Sequence, residues 1–405
     1  MNDSERAAPV DEAELSSLLG GADRDGRAVR VTGGNTLAGM GARPAVDLEI
    51  LTTTIAGIID FEPDDLTVAV LAGTRLSELA TTLAERRQML PFDAPLATNA
   101  TVGGTLAAGW RGPRRHIYGP PRDWVIGSHV VLADGTVARA GGMVVKNVAG
   151  YDLSRLYVGS FGTLSVLVRA NLKTLALPER TRAFFAALPD GSLEPTIAQL
   201  RDLRVVPAAA FWFDGFSAAD DRPTGDDGRL AIFLEGSTAL VDRAGLELRS
   251  ALGRGGVPAA HVLDNRAPAA LERIVDAYVS ALGQRSISYR IGSLPSEAIA
   301  TAEAAAECAR RFELRHERIV DLMNGDTILR VSELDVRRLA ACMNDFDDAL
   351  HRALPNAIVI ACEHPDRDTL QLWGREPGAI ATMRALKHRF DPNNVLNPGR
   401  FVGGI

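Results

Sequence analysis

Apolar residues along this chain change their period several times, and each change marks an element. The run Leu66-Thr67-Val68-Ala69-Val70-Leu71-Ala72-Gly73 is almost continuously apolar, rich in β-branched residues and closed by a glycine, the pattern of a buried strand. Directly after it Leu76, Leu79, Ala80 and Leu83 recur at helical spacing, which predicts an amphipathic helix over 75–86. The same reading predicts a helix over 11–19, strands over 28–32, 45–47 and 125–132, an apolar run over 55–61, and an Ala-rich helical segment over 105–108. Past Pro178 the pattern changes. Strands over 182–188, 208–213, 230–235, 286–291, 327–331 and 357–361 alternate with helices over 239–252, 296–311 and 332–350. Such alternation without glycine turns suits an antiparallel sheet backed by helices. A helix over 377–390 leads through Asp391-Pro392 into the tail, and residues 214–229, rich in Asp and Gly, read as a loop.

A chain of 405 residues is too long for one ordinary core. The expected class is α+β, with domains at 1–178 and 179–378 and a segment, 379–405, returning to the first. The net charge of −7 argues against a nucleic-acid groove or an anionic membrane surface, both of which reward Lys/Arg clusters. Arg111, Arg114 and Arg115 form the one tight basic group, serving a phosphate, a partner or plain solvation. Three scattered cysteines, Cys308, Cys342 and Cys362, make neither a disulfide framework nor a C-x-x-C metal site, and fit a reducing compartment. The acidic N-terminus lacks the apolar core of a signal peptide, and no apolar run approaches the ~20 residues of a membrane span. Membrane association is expected only through a partner.

Two glycine turns carry the chemistry. Gly33-Gly34-Asn35-Thr36 closes the strand 28–32, and Thr98-Asn99-Ala100-Thr101-Val102-Gly103-Gly104-Thr105 opens the segment 105–108. Backbone N–H groups crowd around a phosphate only where no Cβ intrudes, so each turn has the form of a cradle for a pyrophosphate, or of a plain tight turn. No strand is followed by G-x-G-x-x-G with an acidic residue at the right distance, which argues against an NAD-binding Rossmann protein.

Further blocks follow in order: Tyr118-Gly119, Arg122-Asp123, Val145-Lys146-Asn147-Val148-Ala149-Gly150-Tyr151-Asp152-Leu153, Gly159-Ser160-Phe161-Gly162-Thr163-Leu164, and the tail from Phe390 to Phe401 with Asn397-Pro398-Gly399-Arg400. Their order and spacing resemble the FAD-binding domain shared by vanillyl-alcohol oxidase, p-cresol methylhydroxylase (PCMH) and the flavin-dependent 2-hydroxyacid dehydrogenases, over residues 28–178 and 379–405. The resemblance implies a two-part PCMH-type FAD-binding domain with an antiparallel-sheet α/β cap. It also implies an FAD site of Gly33, Gly34, Asn35 and Thr36 in the first loop and Thr101, Val102, Gly103 and Gly104 in the second. Gly73 and Pro95 would lie along the cofactor path, Gly109 where the backbone passes close to it, and Tyr118 and Asn397 beside it. Gly162, Thr163 and Val166 would hold the adenine end from a strand. Some relatives attach the flavin through a histidine in the first loop; Asn35 or Thr36 stands there, which implies non-covalent FAD. Lys146, Tyr151 and Asp152 serve the site or brace a loop.

Within this group the chain is similar to the smaller FAD-binding subunits of bacterial glycolate oxidases, through Gly112-Pro113-Arg114-Arg115, the block from Val145 to Thr163, Leu234-Glu235-Gly236 and the tail. That implies a complex with a larger FAD-binding catalytic subunit and an iron–sulfur subunit. Together these oxidise a small 2-hydroxy acid, glycolate, to glyoxylate, in the cytoplasm and peripheral to the inner membrane through the partners. Departures are Trp110-Arg111 and Gly119-Pro120-Pro121-Arg122, where smaller residues are usual, and Phe161, where catalytic relatives often carry a carboxylate.

Oxidation of a 2-hydroxy acid needs a base for the hydroxyl proton and a cation for the carboxylate. The metal-binding histidine motif of catalytic relatives is missing, so no metal is expected. His364, in Cys362-Glu363-His364-Pro365, is the best single base, or else a surface or core histidine. Arg290 shares one face of a strand with Ser286 and Ser288, opposite Ile287, Tyr289 and Ile291. It is an anion holder above the flavin, or it faces solvent. These candidates leave open an electron-carrying subunit, a non-catalytic flavin-binding assembly subunit and a stand-alone dehydrogenase.

Overall fold

The computed structural model describes residues 4–143, 151–189, 191–216, 229–257 and 260–405. Lys146 with the rest of 144–150, and 217–228 of the expected loop, lie outside the described residues. The chain divides into two compact units, one of Met1–Gly112, Tyr118–Leu177 and Glu376–Ile405, the other of Pro113–Ile117 and Pro178–Arg375. Among the described residues, no helix is long and apolar enough to cross a membrane.

In the first unit a parallel sheet runs Glu5–Ala7, Leu48–Leu51, Val29–Thr32. An antiparallel sheet runs Ile58–Glu62, Thr67–Leu71, Val166–Lys173, Val125–Val131, Val137–Gly141. Leu15 and Leu19 of the helix Glu12–Arg24 pack with Val29, Ile50, Val131 and Val166, and with Val395 and Leu396 of the tail. Each tail side chain so buried stabilises the unit by about 1.5–3 kcal/mol, which draws the end of the chain into a core begun near its start. A second cluster joins Leu79 and Leu83 of the helix Leu76–Glu85 to Val68, Val70, Val102, Leu106, Ala170 and Leu172.

Three local expectations are corrected here. The strand expected over 45–47 is Leu48–Leu51, because its middle residue, Glu49, is buried as the partner of Arg6 and Arg30 at 2.9 and 3.3 Å and so broke the apolar pattern. The helix expected from 105 begins at Val102, with Gly103 and Gly104 inside its first turn. Glycine costs about 1 kcal/mol in a helix, but the Thr101 hydroxyl accepts from Gly104 N–H at 3.1 Å, and such a cap returns about as much. The strand expected from 162 begins at Val166, since Phe161 and Gly162 both take positive φ, 54° and 67°.

Among the described residues, the second unit holds an antiparallel sheet of eight strands, ordered His261–Leu263, Arg180–Ala187, Arg229–Gly236, Ala209–Asp214, Arg315–Asp321, Asp326–Ser332, Ser286–Gly292, Ala357–Cys362. Helices Thr238–Arg254 and Ala298–Arg311 cover one face through Val241, Leu248, Ala298 and Ala302 against Phe184, Trp212, Ile232 and Val320. The strand Arg315–Asp321, Arg-His-Glu-Arg-Ile-Val-Asp, gave no apolar run because its charges are partnered, Arg318 with Asp214 and Glu303, and Glu317 with Arg330. The helix Ala267–Val279 was legible in principle, as Ala270, Leu271, Ile274, Val275 and Tyr278 recur at helical spacing and are buried.

Residues 113–117 join this second unit through specific bonds. Arg114 pairs with Glu235 at 3.0 Å, Arg115 with Asp326 at 2.9 Å, and a ring nitrogen of His116 lies 2.8 Å from the Pro207 carbonyl. For Arg114 and Arg115, the readings as phosphate ligands or plain solvation give way to ion pairs.

Candidate cofactor site

The strand Val29–Thr32 runs into the turn Gly33-Gly34-Asn35-Thr36, where Asn35 adopts a left-handed φ of 58°. A Cβ on Gly34 would lie 1.7 Å from the Asn99 carbonyl oxygen, and one on Gly33 2.4 Å from the Thr101 hydroxyl. The two glycine turns therefore pack directly on one another. Together they line a cleft with about 560 Å³ of open space, bounded by 31–38, Thr101, Gly104, Ala107, Ala108, Phe161 and Arg400.

The two turns play different parts. Among the described residues, the N–H groups of Gly33, Gly34, Asn35 and Thr36 donate to no protein acceptor, so this turn, which borders the cleft, keeps a run of backbone donors unspent. In the second turn the donors are spent: Val102 N–H on Thr74 O at 2.9 Å, Gly103 N–H on Ala72 O at 2.7 Å, Gly104 N–H on the Thr101 hydroxyl. The expectation of two N–H cradles is thus corrected to one cradle facing a bare wall. Gly103 is small because its Cβ would meet that of Ala72 at 2.7 Å, and neither it nor Val102 lines the cleft; Gly104 does.

The remaining predicted residues divide in the same way. Gly73 lets the loop 52–55 cross, its Cβ position lying 2.1 Å from Thr52 O. Gly109, with φ 59°, ends the helix Val102–Ala108 against Gly159. Pro95 is buried, and the Tyr118 carbonyl accepts from the Trp124 indole at 2.9 Å; neither lines the cleft. Thr163 and Val166 are interior, the Thr163 hydroxyl donating to Ser160 O at 2.7 Å. Asn397, 2% exposed, accepts from Val31 N–H at 3.0 Å and donates to Phe161 O at 2.8 Å, and Gly162 is bare where its Cβ would strike the Asn397 amide. Phe161 closes the cleft with its ring stacked on Phe401, centroids 5.2 Å apart. Tyr151 is exposed, and Asp152 pairs with Arg155 at 3.0 Å. Ala107 borders a second hollow, lined by Ser128, Ser154, Tyr157 and Ser160.

One charged residue was missed. Arg400 borders the cleft from the far end of the chain, and the signal for it was Pro398-Gly399-Arg400 in the tail motif. The tail is held there by Lys387, whose buried ammonium donates to Thr163 O at 3.0 Å, to Leu396 O at 2.8 Å and to Asp391. Burial lowers the Lys387 pKa, against the pull of Asp391.

In the second unit Arg290 neither faces solvent nor presents an open cation. Its strand is buried on both faces, and its guanidinium binds Asp326 through Nε at 3.0 Å and through Nη2. Burial opposes the charge on Asp326, but Arg290 and Arg115 outweigh it and hold that carboxyl below its ordinary range. Asp321, buried nearby, is pushed up to about 7 by desolvation. The imidazole of His364, 4% exposed, accepts from Asp366 N–H at 3.2 Å and caps the turn Pro365–Thr369. Both predicted catalytic residues belong to the second unit, whereas the residues that line the cleft belong to the first.

Donors without acceptors, an opposing wall free of side-chain bulk and one bordering cation fit the diphosphate of a dinucleotide. The sequence model of the FAD binding domain matches residues 6–141, and that of the C-terminal domain of FAD-linked oxidases matches 370–401. Fold and cleft together define a PCMH-type flavoprotein whose cofactor is FAD. The glycolate oxidase subunit GlcE of Escherichia coli is 36% identical over 44% of this chain and 50% of its own length, so the chain matches about half of that relative. Subunit GlcD of Bacillus subtilis is 26% identical over 85% of this chain and 77% of its own. A structure of p-cresol methylhydroxylase with substrate bound superposes with a TM-score of 0.74 at 17% identity, covering 98% of this chain and 88% of that one, a likeness of fold.

Proposed function

We propose that this chain is the FAD-binding subunit of a complex that oxidises a 2-hydroxy acid, glycolate, to glyoxylate, beside a larger flavoprotein subunit and an iron–sulfur subunit. The observation that carries the reading is the cleft of unspent N–H groups at Gly33–Thr36 facing Gly104, Ala107 and Ala108. The likeness to GlcE and GlcD supports the substrate class and the complex.

When bound, FAD would supply a two-electron acceptor for oxidation of the 2-hydroxy acid. The N–H groups of 33–36 would hold its diphosphate, and the bare wall would let it approach closely. Asn35 and Thr36 offer no covalent attachment, so the flavin is dissociable. The hydroxyl proton needs a base, and neither His364 nor Arg290 is poised to take it or to hold the substrate carboxylate. The larger flavoprotein subunit supplies those groups, and the chain stays in the cytoplasm, reaching the membrane through its partners. The same two side chains favour a second reading, in which the bound flavin serves assembly alone.

Anaerobic spectra separate the readings. The purified chain is yellow and releases FAD on mild denaturation. Beside its co-purified partners, glycolate bleaches both flavins; bleaching of the partner's flavin alone supports the assembly role. Full-rate glycolate oxidation by the isolated chain with an artificial acceptor overturns the subunit reading.

A further inference from the structure

The FAD diphosphate carries two negative charges, and the first glycine turn meets it only with backbone dipoles. The second turn adds none, because Val102, Gly103 and Gly104 have already spent their N–H groups inside the protein. Among the described residues, Arg400 is the one charged residue bordering the cleft. We propose that Arg400 is the counter-charge of the FAD diphosphate, delivered by the C-terminal tail, so that docking of the tail and binding of the cofactor are one coupled equilibrium.

The tail is built to place this guanidinium. Asn397 N–H donates to Val29 O at 2.8 Å and its side chain accepts from Val31 N–H, registering the tail on the strand that ends at Gly33. Three residues on, Arg400 N–H closes a turn on Asn397 O at 3.1 Å, its carbonyl accepts from Ala42 N–H at 3.3 Å, and Phe401 stacks on Phe161. Arg400 therefore leaves a short segment tied to both the donor turn and the aromatic wall. A guanidinium suits the task, since its planar fork binds phosphate oxygens in pairs and keeps its charge at every working pH.

The inference rests on the FAD assignment and not on the substrate. Apoprotein of the full chain is titrated with FAD by quenching of flavin fluorescence, and ADP and adenosine are run as competitors. Arg400→Gln is expected to weaken FAD and ADP by about ten-fold or more, the loss typical of a charge-assisted bond. Adenosine is unaffected, the salt dependence of FAD binding flattens, and Arg400→Lys restores part of the affinity. Hydrogen exchange on the wild type is expected to show FAD and ADP, but not adenosine, slowing exchange in residues 397–401, a readout that needs no variant to fold. Wild-type affinity for FAD in Arg400→Gln, or an unchanged exchange rate in the tail, overturns the proposal alone. A wild type that binds no FAD overturns the cofactor assignment with it.

Discussion

Adjacent glycines in the second turn do unlike work. A Cβ on Gly103 would meet Ala72 at 2.7 Å from its Cβ and 3.0 Å from its carbonyl oxygen, whereas one on Gly104 would meet only the Thr101 hydroxyl, at 3.0 Å, while intruding on the cleft. Gly103→Ala is therefore expected to cost about 1–3 kcal/mol of stability through overpacking, with FAD affinity of the folded protein nearly unchanged. Gly104→Ala should do the reverse, since alanine is the better helix former and the penalty falls on the cofactor. Apoprotein melts and FAD titrations on both variants check this, and equal effects of the two would remove the distinction between packing and cleft. Asn35 shows the same economy in reverse. It holds a left-handed φ of 58°, which asparagine tolerates better than most residues, so the turn bends there without a third glycine.

At the scale of elements, the helix Ile380–Phe390 and the tail after it behave as one clasp. Lys387 on the helix binds Thr163 O, Leu396 O and Asp391, while Asp391 accepts from Val395 N–H at 2.8 Å and Leu396 N–H at 2.7 Å. Removing the ammonium leaves a fully buried carboxylate without its cation. Lys387→Met should thus cost about 3–5 kcal/mol in urea unfolding, and the double variant Lys387→Met/Asp391→Asn should recover part of the loss. A single variant as stable as the wild type would show that the clasp contributes nothing. Because the clasp holds the segment that carries Arg400, the single variant should also bind FAD more weakly.

For the molecule as a whole, the buried carboxyl of Asp321 sets a pH dependence. Its folded value of about 7 lies above the ordinary 3.8, so the folded state binds that proton more tightly than the unfolded chain does. The resulting stabilisation is fully present below about pH 3.8 and lost as pH rises through 7, at a rate of at most about 1.4 kcal/mol per pH unit. Thermal melts between pH 5 and 8 should therefore show the wild type losing stability relative to Asp321→Asn as pH rises; parallel profiles would refute the assignment. Much of this molecule was open to reading along the chain. Periodic apolar runs disclosed most strands and helices, since burial on one face imposes a spacing that needs no knowledge of the neighbour. The paired glycines marked the two turns that meet at the cleft, because an absent Cβ leaves its mark in composition. Partnership was not legible. Glu49, Arg290 and Glu317 look like surface charges until cross-strand neighbours neutralise them, and the donors of Gly103 look available until Ala72 takes them. Arg400 and the first glycine turn lie hundreds of residues apart in the chain and come to border one cleft only in the tertiary structure. Local spacing determined which residues lack bulk and which seek burial, and tertiary structure alone decided which charges meet, because ion pairs and hydrogen bonds depend on distance in space and carry no period in sequence.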